Sequence, residues 1–228
     1  RTASGTQNIK TDCLAVSGGW NPSVHLTCHM NGRPVWREDI AAFVPAPGAI
    51  PGMRVVGAAL GEMSTAAALK TGAEAAKAAL KDLGKKAPRT VVPAAEDEPL
   101  AITPFWHVAK GQGRQWLDMA NDVTTKDVKL AHQENYRSVE HMKRYTTLGM
   151  APDQGKTSNM GALAIMADLT ERSIPETGTT TFRPPYSPVA LGALGAHGAG
   201  KSFAPERFIP SDALAREQGA SFVETGLW

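Results

Sequence analysis

Residues 121–159 read NDVTTKDVKLAHQENYRSVEHMKRYTTLGMAPDQGKTSN, and helix start and stop signals divide this run into three parts. Thr124 followed three positions later by Asp127 is a variant of the capping box. It starts a helix with Val128 and Ala131 on one face, expected to end near Gln133. Ser138 caps a second helix, in which Glu140 and Arg144 form an i,i+4 pair and Gly149 supplies the left-handed stop. A third begins at Thr157 or Ser158 and continues through the apolar MGALAIMADL. The end of the run is close to a phosphate loop of the G-x-x-x-x-G-K-[ST] kind, but Met150 stands where the first glycine belongs, and Gly149 is one position too early. A helix entered at Thr157 or Ser158 leaves its first amides without partners, and Lys156 adds a full positive charge. Gly155, Lys156, Thr157 and Ser158 are therefore expected to form an anion-binding turn for a phosphate ester, with Lys143 and Arg144 close by. The plainer alternative is a solvated lysine beside a capping serine.

Upstream, Cys13 to Val16 is read as a short strand stopped by Ser17-Gly18-Gly19, and SVHLTCHM and RPVWRED flank Asn31-Gly32 as a β-hairpin would. His25 and His29 lie four apart, but the strand reading and the lack of a third ligand give them a structural role. Val55-Val56, a glycine turn and an alanine-rich helix from about Ser64 to Leu83 read as a β-turn-α unit. Its helix start would face a nucleotide, unless Gly57 and Gly61 only allow close packing. Lys85 to Pro104 is rich in Pro, Ala and charge and reads as a linker. Downstream, ETGTTTFRPPYSPVALGALGAHGAG holds too many Gly and Pro for regular structure. It is expected to thread across a surface, with Arg183-Pro184-Pro185-Tyr186 as a rigid contact.

The 228 residues carry 24 basic and 22 acidic side chains, a balance that argues against a nucleic acid or an anionic membrane as partner. Cys13 and Cys28 form neither a C-x-x-C nor a ligand cluster, so free thiols are expected and no metal site. No run approaches the roughly 18 apolar residues of a membrane span, and no leader pattern is present, so a soluble, cytoplasmic protein is expected. The start at Arg1 and the close on GASFVETGLW both look cut. No residue is a convincing acid, base or nucleophile; His141, beside Glu140, reads as a surface or packing histidine.

The run 121–159 resembles the signature region of the α subunit of heterotetrameric sarcosine oxidase and of related multi-subunit dehydrogenases of amines, opines and proline. SGGWNPSVHL, GTTTFRPPYSPVALGAL and the closing GASFVETGLW resemble other blocks of that family, the last being similar to the opening of its aminomethyltransferase-like folate domain. The helical module is also similar to the small iron–sulfur domain of bacterioferritin-associated ferredoxin type. Asp118, Ala120, Asp153 and Ser158 stand where that domain has cysteines, so no thiolate remains for a cluster.

The resemblance implies an α/β fold: residues 1–86 as the C-terminal part of a dinucleotide-binding (FAD/NAD) flavoprotein domain, then a linker over 87–104. It places a cluster-free, three-helix ferredoxin-like module at 105–172, an extended connector at 173–205, and the start of a truncated folate domain at 206–228. It implies FMN at the junction with the β subunit, with Lys156, Thr157, Ser158 and Gly155 and, more weakly, Arg144 as phosphate contacts. It implies an NAD site completed by Ala58, Met63 and Thr65, with FAD and tetrahydrofolate elsewhere in a complex containing β, γ and δ subunits. The implied activity is oxidative demethylation of sarcosine, a secondary N-methyl amine, to glycine. The flavin takes a hydride equivalent, an imine forms, and the one-carbon unit passes to tetrahydrofolate or leaves as formaldehyde. The piece by itself is expected to be inactive. Two alternatives remain open: a subunit of an opine, proline or N-methylglutamate dehydrogenase, and a stand-alone nucleotide-binding module.

Overall fold

The computed structural model describes residues 7–15, 18–98, 100, 102–111, 113–195 and 207–223. Val16 and Ser17 of the first expected strand, and both ends of the expected folate segment, lie outside them. Of that strand, Cys13–Ala15 is irregular and exposed.

The hairpin forms, but not where Asn31-Gly32 suggested. His25–Cys28 is a helical turn (α1), and Asn31, at φ 64°, closes it while the Gly32 amide donates to Thr27 O at 2.9 Å. Asn in the left-handed region serves a helix end as readily as a hairpin, and here the helix end takes it. A Cβ on Gly32 would stand 2.9 Å from that carbonyl, so glycine is required. The hairpin itself joins β1 (Val35–Arg37) to β2 (Ala42–Val44), with Trp36 opposite Phe43 and a turn closed at Ala41, φ 47°.

Val55-Val56 finds no strand partner among the described residues, so the expected β-turn-α unit becomes a 3-10 turn at Gly57–Leu60 followed by α2, Thr65–Asp82. Ser64 caps α2, accepting from the Ala67 amide at 3.1 Å. Gly61 is a packing glycine: at φ 87°, any Cβ on it would meet Ile40 Cδ1 at 2.6 Å and Val44 Cγ1 at 3.0 Å. Residues 85–98 have no regular structure and are nearly all exposed.

The downstream module follows its local signals closely. β3 (Trp116–Asp118) pairs antiparallel with β4 (Val123–Thr124) across a bulge. The helix α3 spans Thr125–Gln133, and the Thr124 amide and hydroxyl both donate to Asp127 Oδ2 at 2.7 Å. That hydroxyl, with the Thr124 amide, holds the Asp127 carboxyl below its ordinary pKa. Val128 and Ala131 are fully buried. Next, α4 spans Val139–Thr146 behind Ser138, with Arg144 and Glu140 paired at 2.8 Å. The left-handed stop is Thr147, at φ 61°, rather than Gly149. Gly149, also left-handed at φ 69°, is needed for room, since a Cβ there would stand 2.6 Å from Asn159 Oδ1. The helix α5, Asn159–Thr170, is buried continuously from Ala162 to Ala167, as befits a helix apolar on every face. A short α6, Ile174–Thr177, follows behind a Ser173–Glu176 capping box.

One buried cluster unites these parts: Val24, Cys28 and Phe43 from the first segment share a core with Val128, Met142, Leu163, Met166 and Phe182. The compact unit runs as far as Tyr186, past residue 172. Among the described residues both sheets are two-stranded and antiparallel, so this piece is a mixed, mainly helical structure without the parallel sheet an α/β reading implied. No described helix is long and apolar enough to cross a membrane. The second unit, Ser187–Trp228, contains α7 (Leu191–Gly195) and α8 (Asp212–Glu217), where Arg216 bonds Asp212 and lies 4.4 Å from the Phe222 ring.

Asp118, 3% exposed, ties the β3–β4 turn to the loop after α4. Its Oδ1 accepts from the amides of Ala120 (3.0 Å) and Asn121 (3.2 Å), and its Oδ2 from that of Gly149 (2.8 Å). Asp118→Ala should lower unfolding free energy in urea by about 2–4 kcal/mol, because three amides lose a charged acceptor.

Candidate functional site

The turn before α5 was expected to present free amides to an anion, and in the structure those of Lys156, Ser158 and Asn159 are taken by carbonyls of the turn itself. Residues 151–158 wind as consecutive turns in which Lys156 N donates to Asp153 O, while Ser158 N and Asn159 N both donate to Gly155 O at 3.3 and 3.1 Å. Gly155, at φ 73°, lies flat against Asn159, leaving no room for even a Cβ.

The side chains are committed as well. Thr157 Oγ1 donates to Asp153 Oδ2 at 2.9 Å. The Lys156 ammonium donates to Tyr186 O at 2.7 Å and sits 4.4 Å from the centre of the Tyr186 ring. Arg144 is taken by the carboxylate and carbonyl of Glu140. Ser158 does not cap its helix: its hydroxyl is enclosed without a hydrogen-bond partner among the described residues, and the residue is 2% exposed. The structure thus gathers Gly155, Lys156, Thr157 and Ser158 into one turn, but they do not fit an open phosphate cradle.

What fills the turn is the chain itself. Residues 180–186 cross it as a strap whose backbone is met by side chains of α4 and of the turn before α5, and whose Thr180 hydroxyl is met by Asn159 of α5. Glu140 accepts the Thr181 amide, Lys143 reaches Thr181 O at 3.4 Å, Gln154 donates to Pro185 O, and Asn159 Nδ2 donates to Thr180 Oγ1 at 3.0 Å. Phe182, 7% exposed, lies ring against ring with His25, centroids 3.8 Å apart. Burial raises the Glu140 pKa, but the Thr181 amide and the Arg144 guanidinium outweigh it, leaving the carboxyl below its ordinary range. Burial lowers that of Lys143, and the neighbouring cations of Arg144 and Arg183 add to the effect against Glu140.

His25 is the titratable centre of this arrangement. It is 5% exposed, its Nε2 is 3.4 Å from Gln154 O, and its Nδ1 has no partner among the described residues. Burial brings its pKa down to about 4, with Lys156 and His29 pushing the same way against the Gln154 carbonyl. Gln154 Oε1 and Asn159 Oδ1 are likewise buried without partners among the described residues. Among the described residues no group of three or more His, Cys, Asp or Glu could hold a metal.

Ala58 lies in the 3-10 turn, and Met63 and Thr65 flank Ser64 at the start of α2; Ala58 and Thr65 are exposed and Met63 is half-buried. The Thr65 amide, which a nucleotide phosphate would require, donates to Glu98 Oε2 at 3.2 Å. Sequence reading gave His25 only a structural role and missed Asn159, Phe182 and the carboxylates at 97 and 98. Arg183-Pro-Pro-Tyr186 was the one visible signal of the strap.

Residues 112–198 match the family model of the sarcosine oxidase A3 domain. The chain is 45% identical over 226 residues to the α subunit of sarcosine oxidase from Rhizobium meliloti (strain 1021), covering 98% of this chain and 23% of that protein. It is 39% identical over 230 residues to the α subunit of sarcosine oxidase from Corynebacterium sp. (strain P-1), covering 97% and 24%. One of the subunits of opine oxidase from Rhizobium meliloti (strain 1021) is 25% identical over 189 residues, covering 76% and 41%. L-proline dehydrogenase from P. horikoshii shares the fold over 76% of this chain and 37% of its own, with a TM-score of 0.59 at 19% identity. The chain spans about a quarter of the length of the sarcosine oxidase subunits it matches.

An unfolded histidine protonates near pH 6.5 and His25 in the fold only near 4, so between those values the unfolded state binds more protons. The contribution is complete above pH 6.5 and should be lost, by about 3 kcal/mol in all, as pH falls to 4. Urea titrations across that window should show the slope in the wild type and a flatter profile in His25→Gln.

Proposed function

We propose that this chain, homologous along nearly its whole length to one segment of sarcosine oxidase α subunits, serves as that segment in a multi-subunit, flavin-dependent oxidoreductase acting on a secondary amine. The observation that carries the reading is the 45% identity spread over 98% of the chain, including the strap and the helical module. Sarcosine, oxidatively demethylated to glycine, is the proposed substrate, with β-, γ- and δ-type subunits as partners. FMN at the junction with the β subunit, NAD, FAD and tetrahydrofolate are proposed for the complete enzyme.

In that enzyme a flavin would accept the hydride equivalent from the amine. This chain's own residues contribute structure. Asp118 and the capped helices hold the module, and the strap is fastened by Glu140, Lys143, Gln154 and Lys156. The likeness of that module to a ferredoxin-like domain without its cluster is part of the same proposal, supported by Asp118 holding the turn where the resemblance puts a thiolate.

A second reading, an opine- or proline-oxidising enzyme, is favoured by the similarity to the opine oxidase relative and by the fold shared with L-proline dehydrogenase. Assays of the complete enzyme with sarcosine, proline and opines separate the two. Sarcosine should give a kcat/KM at least about tenfold above the others, a difference of about 1.4 kcal/mol in transition-state binding; preference for proline or an opine would establish the second reading. In the same preparation Lys156→Ala should leave flavin content unchanged while lowering stability by roughly 1 kcal/mol, the worth of one cation–π contact and hydrogen bond. Loss of FMN would instead make Lys156 a phosphate contact.

A further inference from the structure

Asp97 and Glu98, within the segment read as a linker, are fastened to the start of α2. Ser64 Oγ donates to Asp97 Oδ1 at 2.5 Å, and the Thr65 amide donates to Glu98 Oε2 at 3.2 Å. Both acceptors come from the acidic run Glu96-Asp97-Glu98, and both donors sit at the first turn of an 18-residue helix. An 18-residue helix is about 27 Å long, so residues 84–96 must travel back past its full length to bring the carboxylates to its start. Thirteen residues can span up to about 45 Å, so the return is made without strain. The end they reach carries the partial positive charge of the helix dipole and amides without intrahelical partners. Glu98 takes an amide there as a phosphate would, and Asp97 takes the Ser64 hydroxyl.

We propose that Asp97 and Glu98 are a latch: a built-in occupant of the start of α2 that holds the linker back along the helix and excludes an anionic ligand until it is displaced. The exclusion rests on the reading of Ala58, Met63 and Thr65 as the edge of a dinucleotide site; the latch itself does not. Trypsin sites at Lys85, Lys86 and Arg89 are exposed within the segment the latch closes.

Limited proteolysis of the 228-residue chain tests the latch. Asp97→Ala with Glu98→Ala, which removes both acceptors, should accelerate cleavage at those three sites about fivefold, cleavage tracking the population of the released linker, and 1 M salt should do the same to the wild type. Ser64→Ala, which removes the Asp97 contact and leaves the carboxylates in place, should give a smaller acceleration. Unchanged cleavage in the double variant overturns the latch. NAD, titrated calorimetrically, tests the exclusion: it should bind the double variant about tenfold more tightly than the wild type. Faster cleavage with unchanged NAD affinity would overturn the exclusion and the dinucleotide reading of this helix start, while leaving the latch standing.

Discussion

Three backbone amides converge on one buried carboxylate, that of Asp118, and the helical half of the unit is organised around it. Two of the amides belong to the turn of its own hairpin and the third to Gly149, 31 residues away. Asn121 adds a second tie between the same segments, donating to Thr147 O at 2.9 Å. The loop after α4 is thereby fixed against the hairpin, and Gly149 and Gly155 can press against Asn159 at the head of α5. A buried charge is stabilising only when its acceptor sites are filled, and here backbone amides fill them.

The strap extends the same principle to the outer face. Residues 180–186 have no strand neighbour among the described residues, yet an extended segment lying on a core cannot leave its amides and carbonyls unpaired. Side chains of α4 and of the turn before α5 meet the Thr181 amide and the carbonyls of Thr181, Pro185 and Tyr186, Asn159 of α5 takes the Thr180 hydroxyl, and Phe182 adds the buried area. Lys156, the residue most suggestive of a phosphate, is occupied by the strap's carbonyl and aromatic ring. At both places where an anion was anticipated, groups of the chain itself stand: backbone carbonyls and the strap at the turn before α5, and the Glu98 and Asp97 carboxylates on the Thr65 amide and Ser64 hydroxyl at the start of α2. Helix starts attract negative groups without regard to their source, so an intramolecular acceptor at high effective concentration takes the place first.

The helices of the module were legible because their determinants are local. Thr124 with Asp127, Ser138 before Val139, and the i,i+4 pair Glu140–Arg144 act across three or four residues and formed where they were read. Val128 and Ala131 followed from helical period alone. Asn31-Gly32 failed as a hairpin signal because a left-handed residue also ends a helix, and nothing local separates the two. Val55-Val56 failed as a strand because a strand needs a partner, and none of the described residues supplies one.

The sequence alone therefore determined the family likeness, the capped helices and the residue types gathered before α5. The tertiary structure decided what those residues face: Asp118 with Gly149, Asn159 with Thr180, His25 beneath Phe182, and Glu98 at Thr65 are separated by 21 to 157 positions. A side chain's hydrogen-bonding capacity is written in its chemistry, whereas its partner is whichever group the folded core brings within about 3 Å.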